Sequence, residues 1–114
     1  RRGVQVMGIN VLGTAYTVVE TDRQTDKRLC GCDGFCDKTS KEIVITTEAE
    51  DSDLADWGWY RNKVLRHEII HAFFFESGLC ENFENKPWGI METLVDWFAI
   101  QYPKIKKIFD ELNI

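Results

Sequence analysis

The chain has 114 residues, 44% of them hydrophobic and 29% charged, which is the make-up of one globular domain over residues 1–114 with no room for two cores. A net charge of −5 weighs against nucleic acid as a partner, since a phosphate-binding surface needs clustered cations. No apolar run approaches the roughly 20 residues that span a bilayer, so no membrane contact and a cytoplasmic location are the expectation, and size and composition suggest a monomer. The N-terminus carries no signal-peptide h-region, and Met7 is a candidate start with residues 1–6 an addition; the sequence leaves that open.

Residues 6–21 read as a β-hairpin. Val6–Leu12 and Ala15–Glu20 are rich in strand formers, and Gly13-Thr14 between them suits a type II′ turn. Residues 22–41 are polar and turn-rich and read as a loop or an irregular excursion from the hairpin. Glu42-Ile43-Val44-Ile45-Thr46-Thr47 is a short β-branched strand. Asp51, Ser52 and Asp53 are N-cap candidates for a helix that starts there or near Tyr60, bends or breaks at Gly58, and runs through Phe75. Ser77-Gly78 ends it. Phe73-Phe74-Phe75 makes it apolar on all sides, which predicts a helix buried in the middle of the molecule. Residues 79–88 form a loop. A second helix runs from Trp88 or Gly89 to Tyr102, where Pro103 stops it and opens a last helix. In that last helix Ile105, Ile108, Phe109 and Leu112 predict one face packed on the core. Lys104, Lys106 and Lys107 read as its solvated face. The fold class is α+β: a small N-terminal sheet of about three strands packed on the helix that runs through Phe75 and on two C-terminal helices.

The most informative motif is His67-Glu68-Ile69-Ile70-His71. These are the only two histidines of the chain, and random placement would set two histidines four apart roughly once in sixty trials, so accident is a poor account. Residues four apart share one helix face, one turn apart. Two imidazoles so placed can bind one Zn²⁺, with Glu68 beside them as general base toward a zinc-bound water.

Catalytic zinc needs a third protein ligand. No third histidine exists, so the donor is a carboxylate or a thiolate. Glu92 and Asp96 are four apart in the otherwise apolar segment Ile90–Ala99. A core-like helix should not bury two carboxylates uncompensated. Glu92 is therefore the expected third ligand. Asp96 is the expected acceptor for the free ring N–H of a ligand histidine, with His67 the expected partner.

His-Glu-x-x-His with Glu92 placed 21 residues after His71, and Asp96 four further on, resembles the gluzincin metallopeptidases. Met91 stands where thermolysin-like members have Asn before the ligand Glu. The small size and the strand-then-motif order look more like the short phage and prophage metallopeptidases of the ImmA/IrrE-like group. The resemblance is specific over residues 42–102. It implies a minimal zincin-like domain that hydrolyses a protein or peptide, with zinc on His67, His71 and Glu92 and Glu68 as base. It also implies that substrate lies along an edge strand near Ile43–Thr47, as an added strand. Phe83 and Trp88 could line the other wall or simply pack.

The oxyanion-stabilising donor stays open among Tyr60, Tyr16, Tyr102, a loop Asn and a backbone N–H. Cys30, Cys32, Cys36 and Cys80 lack the spacing of a zinc knuckle, and free thiols are the default beside a second metal site or a disulfide. The alternative to an enzyme is a zinc-bound interaction module of phage or mobile-element origin. An intact Glu68 favours the enzyme.

Overall fold

The computed structural model describes residues 5–48, 54–79 and 92–114. In chain order these form β1 (Gln5–Val11), β2 (Thr14–Thr21), a 3₁₀ turn (Lys27–Leu29), β3 (Gly34–Asp37), β4 (Glu42–Thr46), α1 (Trp57–Glu76) and α2 (Glu92–Leu112). The architecture is α+β, as expected. The sheet has four strands in the order β1-β2-β4-β3. β1 pairs antiparallel with β2, β2 parallel with β4, and β4 antiparallel with β3.

The β1–β2 hairpin forms where the sequence predicts it, with its turn one residue earlier. Val11 pairs with Thr14, so the connection is Leu12-Gly13. Both have positive φ, 52° and 92°. That is a type I′ turn, whose twist matches the strands, rather than the expected II′. Gly13 tolerates the conformation, and its N–H donates to Asn10 Oδ1 at 2.8 Å.

Residues 22–41 are more ordered than a loop. Arg23 organises the first part. Its guanidinium donates to the carbonyls of Leu29, Cys32 and Glu48, to the Thr46 hydroxyl and to Asp33 Oδ1. These bonds satisfy carbonyls that no strand pairs. β3 then follows and pairs Gly34 with Ile45 and Cys36 with Ile43. In the β3–β4 connection Asp37 Oδ1 accepts from the Thr39 and Ser40 amides, an Asx-type turn. As a result β4 is interior, with β2 on one side and β3 on the other. The expectation that Ile43–Thr47 is an edge strand is corrected: in the described sheet the edges are β1 and β3.

The core lies between the sheet and α1. Tyr16 and Val18 alternate inward from β2, Ile43 and Ile45 from β4, and Val64 and Ala72 meet them from α1. Each buried aliphatic contributes about 1.5–3 kcal/mol. Val44 points the other way and is buried too, as is Leu29 of the 3₁₀ turn, which packs on β4.

α1 starts later than the candidate caps, which lie outside the described residues. Asp56 is its N-cap, and its side chain accepts from the Trp59 amide at 3.0 Å. The helix runs unbroken through Gly58. It ends as predicted at Ser77-Gly78. Leu79 N–H bonds the Phe74 carbonyl and Gly78 N–H the Phe75 carbonyl, with Gly78 at φ 79°. That is a Schellman ending. The helix is not wholly buried, since Phe73 and Trp59 are exposed.

α2 departs most from expectation. Pro103 neither stops it nor opens a new helix; one helix runs through Leu112. A proline deprives the carbonyl four residues earlier of its partner. Here that carbonyl is Ala99 O, and Arg66 Nε of α1 donates to it at 2.6 Å. The lost bond is thus replaced from outside the helix. Of the apolar residues expected to pack beyond Pro103, Ile105 is half-buried, while Ile108, Phe109 and Leu112 are 55%, 47% and 64% exposed.

Glu76, the last residue of α1, ties the helix to the sheet. It accepts from Lys41 Nζ (2.8 Å), from Tyr16 OH (2.6 Å) and from Thr14 Oγ1 (3.0 Å). Those bonds, Lys41 foremost, lower its pKa from 4.5 to about 2. A depressed carboxylate pKa stabilises the fold above its unfolded value and ceases to do so as pH falls through the folded one. Glu76→Gln should therefore be less stable than wild type in urea unfolding at pH 7. The gap should close progressively between pH 4.5 and about 2; a gap independent of pH would exclude the ionic contribution.

Gly34 is where β3 crosses α1. A Cβ there would stand 3.0 Å from Val64 Cγ1, 3.2 Å from Ile45 Cγ2 and 3.2 Å from the Val44 carbonyl oxygen. The backbone oxygen cannot swing aside. Gly34→Ala should cost about 1–3 kcal/mol by overpacking, read as a lower urea midpoint.

Candidate metal centre

The site forms where α1, α2 and the edge strand β3 meet. His67 and His71 lie one turn apart on α1, with ring centroids 4.9 Å apart. Glu92 opens the described part of α2 and faces both. Its Oε1 is 2.8 Å from His67 Nε2, and its Oε2 is 3.3 Å from His71 Nε2. One donor atom from each of the three residues falls within 4.8 Å of the others, so the group can hold a metal ion. Donors bound at about 2.0–2.1 Å around a tetrahedral ion stand about 3.3 Å apart, close to what is seen.

The hydrogen-bonding pattern also fits a cation. His67 Nδ1 is 3.2 Å from Asp96 Oδ1 while its Nε2 faces Glu92. A neutral imidazole has one N–H and cannot donate to two carboxylates. If Nδ1–H donates to Asp96, Nε2 presents a lone pair to the Glu92 carboxylate, and His71 Nε2 is aimed at the same carboxylate. A cation between these three donors resolves the mismatch; the donor set of two imidazoles and one carboxylate suits zinc.

Asp96 is therefore placed as the sequence predicts, on His67. It has a second partner that the sequence reading missed. Lys63, one turn before His67 on α1, donates to the same Oδ1 at 3.0 Å. Burial alone would raise the Asp96 pKa, but Lys63 and then His67 outweigh it and hold the carboxyl below its usual range. The signal was available in the i, i+4 spacing of Lys63 and His67, which puts a cation on the ligand face of α1. One premise of the sequence argument does not hold: the Glu92 side chain is 70% exposed, so α2 is not a core helix compensating buried carboxylates. The geometry, rather than burial, brings Glu92 to the histidines.

Glu68 is buried between the two halves of the site. With Gly34 and Glu92 it lines both lobes of one cleft. The first lobe, of about 220 Å³, adds Asp33, Tyr60, Lys63, His67 and Asp96. The second, of about 400 Å³, adds Cys32, Phe35, Cys36, His71 and Phe75. Burial pushes the Glu68 carboxyl up to about 7, opposed by His67 and reinforced by Glu92. A bound cation would favour the ionised form.

Of the tyrosines, Tyr60 alone lines the cleft, and its hydroxyl donates to Asp33 Oδ2. Tyr16 is committed to Glu76, and Tyr102 sits on a separate groove. Among the described cysteines Cys30, Cys32 and Cys36 are free thiols. Burial pushes the Cys36 thiol up to about 12, which keeps it protonated and poorly nucleophilic. Loop 79–88 with Cys80, Phe83, Trp88 and the loop asparagines lies, apart from Leu79, outside the described residues, as does Met91. No helix among the described residues is long and apolar enough to cross a membrane.

Comparison with known proteins finds no match to any family model, to any curated protein or to any solved structure.

Proposed function

We propose that this chain is a zinc-dependent peptidase of the gluzincin type, cleaving peptide bonds of a protein or peptide substrate. The observation that carries this reading is the convergence of His67 Nε2, His71 Nε2 and the Glu92 carboxylate, with the buried Glu68 beside them in one open cleft.

Zinc held by His67, His71 and Glu92 would supply Lewis acidity toward a carbonyl oxygen and a lowered pKa for bound water. The chain's own residues do the rest. Asp96 holds the His67 ring by Nδ1 and so fixes which nitrogen faces the site. Lys63 in turn holds Asp96. Glu68 is placed to take a proton from water as its oxygen adds to the scissile carbon, and to return that proton to the leaving amine as the C–N bond breaks. Tyr60 lines the cleft with its hydroxyl proton held by Asp33, so it would serve a developing oxyanion only by exchanging that partner.

An extended substrate would add to the sheet at β3 rather than at Ile43–Thr47, since β4 is already paired on both sides. β3 has β4 on one side only, and Gly34, Phe35 and Cys36 line the cleft. Backbone pairing there would hold a peptide without demanding much of its sequence. The apolar walls Phe35 and Phe75 favour an apolar side chain in the larger lobe.

Metal analysis of purified protein should find about one zinc per chain, lost in Glu92→Ala. Asp96→Ala should weaken zinc about 10–100-fold without abolishing it. Unchanged zinc in Glu92→Ala would reject the ligand set. Glu68→Gln should keep its zinc and lower cleavage of a mixed peptide library about 10²–10⁴-fold, read by mass spectrometry. If zinc-loaded wild type leaves the library intact, the chain is a zinc-bound binding module instead.

A further inference from the structure

Histidines aside, Lys63 is the one cationic side chain among the described residues that lines the metal cleft. Its side chain is only 15% exposed, so the ammonium is largely covered. It donates to Asp96 Oδ1 at 3.0 Å and lies over the Tyr60 ring, 5.1 Å from the centroid. His67 Nδ1 is 3.2 Å from that same oxygen. Two donors thus converge on Oδ1 instead of taking one carboxylate oxygen each. A fixed cation is costly here, one turn from a ligand histidine and beside the place of a second positive ion. Anchoring α2 does not require it. Arg66 already fixes that helix through the Ala99 carbonyl, and Val95 and Ala99 are fully buried.

We propose that Lys63 is a positioning residue that acts through Asp96 and His67 to loosen the hold on the metal and so to leave it a stronger Lewis acid. The inference rests on the zinc centre proposed above. A carboxylate behind a ligand histidine draws on the Nδ1 proton and makes Nε2 a better donor. An ammonium on the same oxygen satisfies part of that charge. Asp96 then pulls less on the His67 N–H, and Nε2 gives less electron density to the metal. More of the cation's charge is left for a carbonyl oxygen.

Charge balance points the same way. Asp33 is matched by Arg23 at 2.6 Å. The other carboxylates that line the cleft are Glu68, Glu92 and Asp96. A divalent cation offsets two of these three charges, and Lys63 offsets the last. A loaded cleft without net charge is the least costly to cover with substrate, because no ion then loses water uncompensated. With a neutral side chain at position 63 the loaded cleft would keep a net negative charge. That charge would bind zinc more tightly and blunt it as an electrophile.

Zinc affinity tests this by its sign. Lys63→Met keeps most of the apolar stem and removes the ammonium. Competition with a chromophoric chelator at about pH 8, where imidazoles are unprotonated, should show zinc bound about tenfold more tightly than in wild type. Lys63→Gln, also uncharged, should tighten zinc likewise, and Lys63→Arg, which keeps the charge, should stay near wild type. In the zinc-loaded protein the NMR signal of the His67 Nδ1 proton should move downfield in Lys63→Met, as its bond to Asp96 strengthens. A lysine that only braced the helices would give the reverse: looser zinc on its removal and no such shift. Circular dichroism checks that the variants fold. Unchanged or weaker zinc binding in the folded uncharged variants overturns the proposal, and so does a Lys63→Arg that tightens zinc as they do. A wild type that takes up no zinc rejects the metal centre itself, and this inference with it.

Discussion

The candidate site depends on how closely an edge strand can approach a helix. β3 carries no side chain at the point where it crosses α1, and Val64, Ile45 and the Val44 carbonyl occupy the space that a Cβ would need. That contact sets the cleft wall at Gly34 directly across from Glu68 and Glu92. If β3 stood farther off, Glu68 would lose the burial that now perturbs it, and Tyr60 could not reach Asp33. The chemistry of the site is thus set partly by an absence of atoms.

Around this contact the fold places its polar anchors at the margins of the core. Arg23 gathers the carbonyls of the excursion between β2 and β3. Glu76 collects donors from β2 and from the β3–β4 turn at the far end of α1. Each anchor satisfies groups that regular pairing leaves over, which lets a polar, turn-rich segment become a cleft wall. The sheet below is short, so these anchors do what longer strands do in larger proteins.

Local features are legible in the sequence. The hairpin to within one residue of its turn, the β4 strand, and the helix that carries His67 and His71 with its Ser77-Gly78 ending all follow from spacing within a few residues, and the four-residue step from Glu92 to Asp96 puts both on the side of α2 that meets His67. What depended on distant partners was not legible. β3 is four residues long and has no alternation to mark it; only pairing with β4 makes it a strand. The interior place of β4 did leave a trace, since Ile43-Val44-Ile45 is apolar without a break, as suits a strand covered on both faces. Lys63 could be placed on the ligand face by counting, but its bond to Asp96 depends on where α2 lies. The face of α2 beyond Pro103 has the periodicity of a packed helix, and periodicity alone does not say how much of that face is covered.

Pro103 has one more consequence. The carbonyl it leaves open on α2 is claimed by the residue immediately before His67 on α1, three positions after the Asp96 that holds His67. The two contacts together act as a vernier between the helices. A slip of α2 by a single residue, about 1.5 Å along its axis, would part Arg66 from the open carbonyl and Asp96 from the imidazole at once. What looks like a flaw in the helix is an alignment mark: the carbonyl that Pro103 leaves open is the one Arg66 claims, in the register that presents Glu92 to both histidines.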